Sequence, residues 1–206
     1  MKPVFVDLFA GCGGLSLGLL QAGWNGLFAI EENRDAFKSL KHNLINETGH
    51  NQELPKFSWP DWLKTAPFEL GNFIDQHERN LVGCRGTVHL VAGGPPCQGF
   101  SFAGKRVSED PRNELFKLHL RIVEILYPTA VLVENVRGID VAFGEESCNG
   151  NISRKEKKTH ATEIRHALEE MGYRVEQRVI CSKDFGVPQS RLRHYTFGVR
   201  RDLCGD

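Results

Sequence analysis

Val88-His89-Leu90-Val91-Ala92-Gly93-Gly94-Pro95-Pro96-Cys97-Gln98-Gly99-Phe100-Ser101 is the stretch on which the reading of the fold turns. Its first five residues are a short apolar run that reads as a buried strand. Two glycines and two prolines then end the strand sharply, because glycine admits positive φ and proline locks φ. A cysteine thus falls just past the C-terminal end of a strand, on a stiff turn. Open α/β sheets bind their ligands at that edge. A free cysteine is more often a small buried thiol, but the flanking Pro-Pro and Gln favour one that is held and accessible.

Upstream of this turn, residues 3–8 read as a first strand. Phe9-Ala10-Gly11-Cys12-Gly13-Gly14 follows, and then Leu15, Leu19 and Leu20 repeat at helical spacing. Strand, glycine loop and helix suit a nucleotide-like ligand, since glycines let backbone N–H groups approach it at the helix N-terminus. Ser16 stands where a dinucleotide fingerprint has its third glycine. Residues 26–30 read as a second strand, closed by Glu31-Glu32. An acid there, about 20 residues after the glycines, is placed for a ribose hydroxyl. The spacing favours Glu31 for this role and leaves Glu32 open, because a carboxylate at a helix start is also favoured by the helix dipole. Residues 33–46 predict an amphipathic helix with Ala36, Phe37, Leu40 and Leu44 on one face. Trp59-Pro60-Asp61-Trp62 reads as a loop after a weak strand, with a helix from about Leu70 to Asn80. Asp61 suits an adenine amino group and a helix cap equally.

Downstream, residues 102–112 are polar and carry Gly104, Lys105, Arg106 and Arg112, the makings of a basic lid beside the thiol. Residues 113–127 predict a helix with Leu115, Phe116, Leu118, Ile122, Ile125 and Leu126 on its apolar face, ended by Pro128. Ala130-Val131-Leu132-Val133 makes another buried strand and delivers Glu134-Asn135-Val136 to the same edge as Cys97. Residues 144–160 read as an exposed polar loop whose lysines form a solvated face. A helix over 159–171 stops at Gly172. Residues 173–181 alternate like a strand, and Gln189-Ser190-Arg191-Leu192-Arg193 leads into a last strand over 194–199.

The chain has 206 residues, 40% hydrophobic and 25% charged, enough for one sizeable core. No apolar run is long enough to cross a bilayer, and no signal peptide precedes the first strand. The six cysteines form no CxxC pair and lack suitably spaced histidines, so neither a metal site nor a secreted disulfide framework is expected. A reducing, cytoplasmic setting fits. Lys plus Arg and Asp plus Glu both number 26, whereas a compact freestanding nucleic-acid binder usually carries a positive excess.

Strand and helix alternate throughout, which predicts an α/β fold: a mainly parallel sheet with helices on both faces, in a single domain over residues 1–206. Asp7-Leu8-Phe9-Ala10-Gly11-Cys12-Gly13-Gly14, Gly94-Pro95-Pro96-Cys97-Gln98 with Ser101, Glu134-Asn135-Val136 and Gln189-x-Arg191-x-Arg193 occur in this order. With these four pieces the sequence resembles the DNA (cytosine-5) methyltransferase family, from residue 4 to about 200. The resemblance implies a Rossmann-like fold dependent on S-adenosyl-L-methionine, and methyl transfer to C5 of cytosine through a covalent Cys97–C6 adduct. It implies that Glu134 donates a proton toward N3, its acid form favoured by burial. Arg193 would hold the base's O2, with Arg191 in support. The cofactor would lie across Phe9, Gly11, Gly13, Glu31 and Leu115, with Asp61 only a loose match. Gln98, Ser101, Asn135 and Gln189 would serve the substrate, double-stranded DNA with the target cytosine flipped out. Restriction–modification is the setting the family suggests.

The family's pattern continues past residue 206, with a target-recognition region and closing motifs. The expectation is therefore a fragment, a truncated gene or one half of a two-chain enzyme, needing a second polypeptide and methylating poorly alone. Other readings explain less. An NAD-dependent dehydrogenase leaves Pro-Pro-Cys-Gln and the arginines unused. A non-catalytic binding module has no use for Cys97, Glu134 and two arginines together. A tRNA cytosine-5 methyltransferase would use the same chemistry, and only a substrate assay separates it.

Overall fold

The structure, a computed structural model, describes residues 2–46, 53–96, 114–140 and 159–205. Six strands form one sheet: β1 (Val4–Leu8), β2 (Asn25–Ile30), β3 (Leu90–Gly93), β4 (Ala130–Val136), β5 (Tyr173–Cys181) and β6 (Leu192–Arg200). Their order across the sheet is β2-β1-β3-β4-β6-β5. The pairs β1/β2, β1/β3 and β3/β4 are parallel, and β6 runs antiparallel to both of its neighbours. That reversal brings the start of β6 to the rim where β1, β3 and β4 end.

Alternation along the strands divides the core in two. On one face Val6, Leu8, Val91, Val131 and Val133 pack against α3 (Leu70–Gly83), α4 (Glu114–Leu126) and α5 (His160–Glu170). On the other, Phe5, Ala29, Leu90 and Ala92 pack against α1 (Gly14–Gln21) and α2 (Arg34–Leu40). Asp7 and Glu134 belong to this second face by strand parity. Phe28 anchors the first face, its ring centroid 5.5 Å from Phe73 and 5.9 Å from Trp62. Truncating such a fully buried ring costs roughly 3–5 kcal/mol.

Local signals account for the helix ends. Asn33 caps α2 by accepting from the Asp35 and Ala36 N–H groups, and Thr159 caps α5 in a box with Thr162. Gly172 follows α5 at φ 89°, a conformation that admits glycine freely.

Three expectations are corrected. No strand runs into Trp59 among the described residues 53–58: Phe57 N–H turns back to the Leu44 carbonyl, and Ser58 meets β2 through its N–H on the Gly26 carbonyl and its hydroxyl on the Asn25 side chain. The helix over 33–46 is α only to Leu40, and Lys41–Ile45 is a π turn, closed by Asn46 N–H on the Lys41 carbonyl. Leu40 and Leu44, one turn apart, both pack over the glycine loop at Gly13. The exposed loop read over 144–160 gives way at its end, where Thr159 is the buried cap of α5 and His160 its first residue, in line with a helix starting at about Thr159. Cys97, Gln98, Ser101 and the loops read over 102–112 and 144–158 lie outside the described residues.

Candidate active site

Glu134, near the end of β4, meets Arg193, the second residue of β6: Arg193 Nε lies 2.9 Å from Glu134 Oε1. The register explains the meeting, since Val136 stands opposite Arg193 and Glu134 opposite Tyr195. A second Arg193 nitrogen donates to the Leu192 carbonyl at 2.8 Å, which fixes the guanidinium. The Glu134 side chain keeps 29% of its surface. Burial, on which the expectation of an acid form rested, is therefore incomplete here. Asn135 is 4% exposed and on the opposite strand face, and it donates to the Pro95 carbonyl at 3.1 Å. Arg191 and Gln189 are exposed on the connection ahead of β6.

The turn after β3 is tight on both sides. A Cβ on Gly93 would come within 2.6 Å of the Leu8 carbonyl oxygen and 3.1 Å of the His119 ring. One on Gly94 would come within 3.1 Å of Glu134 Oε2. Gly93 is thus required by close approach to backbone, whereas a side chain at Gly94 would have to displace the Glu134 carboxylate. His119 is wholly buried with neither ring nitrogen bonded among the described residues, and burial lowers its pKa to about 4. Cys97 follows Pro96 directly in the sequence.

The loop between β1 and α1 holds Phe9 at φ 58°, a left-handed conformation costly for a side chain with a Cβ and found at ligand sites. Gly11 and Gly13 also have positive φ, at 57° and 89°. Gly13 packs under Leu40 and Leu44, whose methyls would lie 2.6 and 2.8 Å from an added Cβ. The Glu31 carboxylate organises the loop, accepting from Gly11 N–H at 2.8 Å and Asn33 N–H at 2.7 Å. Behind it Asp7, 1% exposed, accepts from the Ser16 hydroxyl at 2.5 Å. Burial pushes Asp7 up to about 7 against that hydrogen bond, and the Glu31 charge adds to the rise.

Two clefts adjoin at Phe9 and Gly94, which line both. The larger, about 580 Å³, is walled by Leu15 and Leu19 of α1 on one side and by Glu134, Arg191 and Tyr195 on the other, with Asp7 in its lining. The smaller, about 290 Å³, is lined by Glu31, Glu32, Phe68, Glu69, Pro96 and Leu115 among others. Aromatic and aliphatic walls with a few oriented carboxylates suit a nucleoside. Phe9, Glu31, Glu32 and Leu115 converge on these clefts, whereas Gly11 and Gly13 stand behind them and line neither. Asp61 is exposed and lines neither cleft, while its neighbour Trp62 is drawn into the aromatic cluster on Phe28.

Sequence reasoning missed Phe68 and Glu69, which occupy the wall sought for Asp61. Glu69 accepts from the Gly71 and Asn72 N–H groups, both at 2.8 Å, as the cap of α3. An acid one residue before the predicted helix was the available signal. Tyr195 was missed too, although its parity with Arg193 along β6 marked it. Burial first, then the Glu134 charge, raises its phenol, with Arg193 and Arg191 opposing. Among the described residues no group of three or more His, Cys, Asp or Glu could hold a metal ion, and no helix is long and apolar enough to cross a membrane.

Comparison with known proteins gives a consistent picture. The family model for C-5 cytosine-specific DNA methylase matches residues 4–204. Type II methyltransferase M1.HphI of Haemophilus parahaemolyticus is 33% identical over 98% of this chain and 47% of its own length. Type II methyltransferase M.DdeI of Desulfomicrobium norvegicum is 33% identical over 96% of this chain and 40% of its own. Among solved structures, a prophage-encoded E. coli protein assigned as a DNA modification methyltransferase superposes with a TM-score of 0.68 at 25% identity. That match covers 98% of this chain and 48% of the other. The chain thus spans about half the length of the curated relatives it matches.

Proposed function

The chain belongs to the C-5 cytosine-specific DNA methylase family, and we propose that it is the catalytic and cofactor-binding part, over residues 1–206, of a DNA (cytosine-5) methyltransferase. The observation that carries this reading is the contact of Arg193 Nε with Glu134 Oε1 at 2.9 Å, where Glu134 lines a cleft shared with Gly94 and Arg193 stands just outside its lining. An acid and a guanidinium meeting beside a turn that carries a thiol are what activation of a pyrimidine needs.

The Cys97 thiolate adds to C6 of the flipped cytosine, forming the S–C6 bond and moving electron density toward C5 and N3. Glu134 bonds N3 and gives it a proton as that density arrives. Arg193 holds O2, where negative charge develops. Removing one such donor commonly costs about 10²–10³ in rate. Arg191 supports the same charge from the cleft wall. After methylation the C5 proton leaves, the S–C6 bond breaks and the aromatic ring is restored.

S-Adenosylmethionine supplies the methyl group, from its sulfonium. The residues present fit it. Glu31, oriented by two backbone N–H groups, is an acceptor for ribose hydroxyls, and Phe68 and Leu115 offer apolar faces to adenine. Glu69 stands on the same wall and would take the adenine amino group in place of Asp61, its oxygens already oriented by the Gly71 and Asn72 N–H groups. Phe9 presents an aromatic ring to the cation. Gln98, Ser101 and Gln189 serve the DNA, and residues beyond this half, in the same or a second polypeptide, supply target recognition. A restriction–modification system in the cytoplasm is the setting, and the relatives' names support it.

Duplex DNA carrying 5-fluorocytosine tests the reading, with S-adenosylmethionine present. It is offered to the chain alone and to the chain fused to the remaining half of a curated relative. A denaturation-resistant adduct forms with the wild type in at least the fused form, and Cys97→Ser abolishes it. No adduct in either form, or one that survives Cys97→Ser, would end the proposal. A parallel tRNA substrate decides the nucleic acid.

A further inference from the structure

We propose that Asn135 is a positioning residue that locks the thiol-bearing turn to β4, and that it does not touch the base. This deepens the function proposed above and rests on it. Strand alternation turns Glu134 toward the cleft and Asn135 away from it, so the two neighbours cannot share a ligand. Asn135 lines neither cleft and is 4% exposed. Both ends of its amide are engaged: Nδ2 donates to the Pro95 carbonyl at 3.1 Å, and Oδ1 accepts from Val136 N–H at 2.7 Å.

The turn needs such an anchor. Pairing of β3 with β4 ends at Gly93–Val133. Pro95 and Pro96 have no N–H to offer a ladder, so only carbonyls remain as handles. Gly94 N–H reaches the Leu8 carbonyl at a long 3.3 Å, and the Asn135 amide takes the next handle, at Pro95. Gly93 and Gly94 are meanwhile wedged between His119 and Glu134, each 3.1 Å from where a Cβ would stand. Cys97 is two residues beyond Pro95 in the sequence, so the anchored carbonyl is the last fixed point before the thiol-bearing residue.

The test reads the thiol itself. Alkylation of Cys97 by iodoacetamide is followed by peptide mass spectrometry across a pH series, in the wild type, Asn135→Ala and Asn135→Asp. Cys12, exposed in the glycine loop, is the internal reference. Asn135→Asp keeps the shape and the acceptor but loses the donor, and stays informative if the alanine variant does not fold. Thiol reactivity follows local charge and access, so the Cys97 profile shifts by about fivefold or more in rate. Cys12 and the affinity for S-adenosylhomocysteine stay unchanged. An unaltered Cys97 profile in a folded variant overturns the proposal. Loss of 5-fluorocytosine trapping beside that unaltered profile would instead make Asn135 a base contact. If the wild type traps nothing, the functional reading fails, while the alkylation comparison still decides Asn135.

Discussion

Replacing Asp7 by Asn separates two buried titrations that mask each other. Asp7 is 1% exposed, and burial lifts its carboxyl from 3.8 to about 7. One unit is worth about 1.4 kcal/mol, so a shift of roughly three units makes the ionised form cost the fold about 4 kcal/mol. The folded protein keeps a proton here that the unfolded chain releases above its own, lower pKa. The stability from this group is therefore complete in acid below 3.8 and is lost as pH rises through about 7. His119 works in the other direction. Burial lowers it from 6.5 to about 4, so its contribution is present above 6.5 and lost as pH falls through about 4. Between those limits the two slopes oppose each other. Asp7→Asn retains an oxygen acceptor for Ser16 and removes the titration. Urea unfolding, followed by fluorescence of Trp24, Trp59 and Trp62, reads the result at a series of pH values. The stability difference between variant and wild type grows by about 1.4 kcal/mol per pH unit across the window, toward about 4 kcal/mol, and is flat above it. A difference that does not change with pH, or that shrinks as pH rises, would refute the reasoning.

Glu31→Ala removes the acceptor of two backbone N–H groups, and calorimetry with S-adenosylhomocysteine should show affinity falling by about 10- to 100-fold, the loss of roughly one charge-assisted hydrogen bond. Asp61→Ala, at an exposed position outside both clefts, leaves that affinity within about twofold; equal losses from the two variants would contradict the geometry. Gly93→Ala meets backbone at 2.6 Å and lowers the urea midpoint by an amount equivalent to about 1–3 kcal/mol, whereas Gly94→Ala meets only the movable Glu134 carboxylate and spares stability. In Gly94→Ala the loss appears as slower adduct formation on 5-fluorocytosine DNA, and normal trapping there would count against the tight packing of this turn.

The sheet was legible in the sequence where pattern and punctuation agreed. Apolar runs closed by a glycine loop, by the Glu31-Glu32 pair or by the Gly-Pro turn marked β1 to β3, and the run before Glu134 marked β4. The alternation from Tyr173 to Cys181 marked β5 with its full length. Most of what escaped was set by contacts distant in the chain. Nothing in residues 41–45 announces a π turn, and the structure gives no physical reason for it. Asp61 matched a motif by position along the chain, but the aromatic packing of Trp62 and the cap at Glu69 decide which residue reaches the cleft. Glu134 and Arg193 were expected on one rim, and their contact at 2.9 Å follows from the antiparallel β4/β6 register. Asn135 was read with Glu134 because they are adjacent in a motif, yet adjacency in a strand means opposite faces.

The position of the last strand between β4 and β5 has a consequence for how the molecule comes together. β5 is made before β6 but has no sheet neighbour until β6 arrives, since its ladder partners run from Leu192 to Arg200. The β5–β6 pairing is local, whereas docking β6 on β4 joins strands separated by α5 and β5. Such closure is the slow kind, because loop entropy is lost before any ladder bond compensates. A nascent chain emerging only through Cys181 lacks β6, and with it the partner of β4 on that side of the sheet. Until β6 docks beside β4, the Glu134 carboxylate has no Arg193 guanidinium to meet.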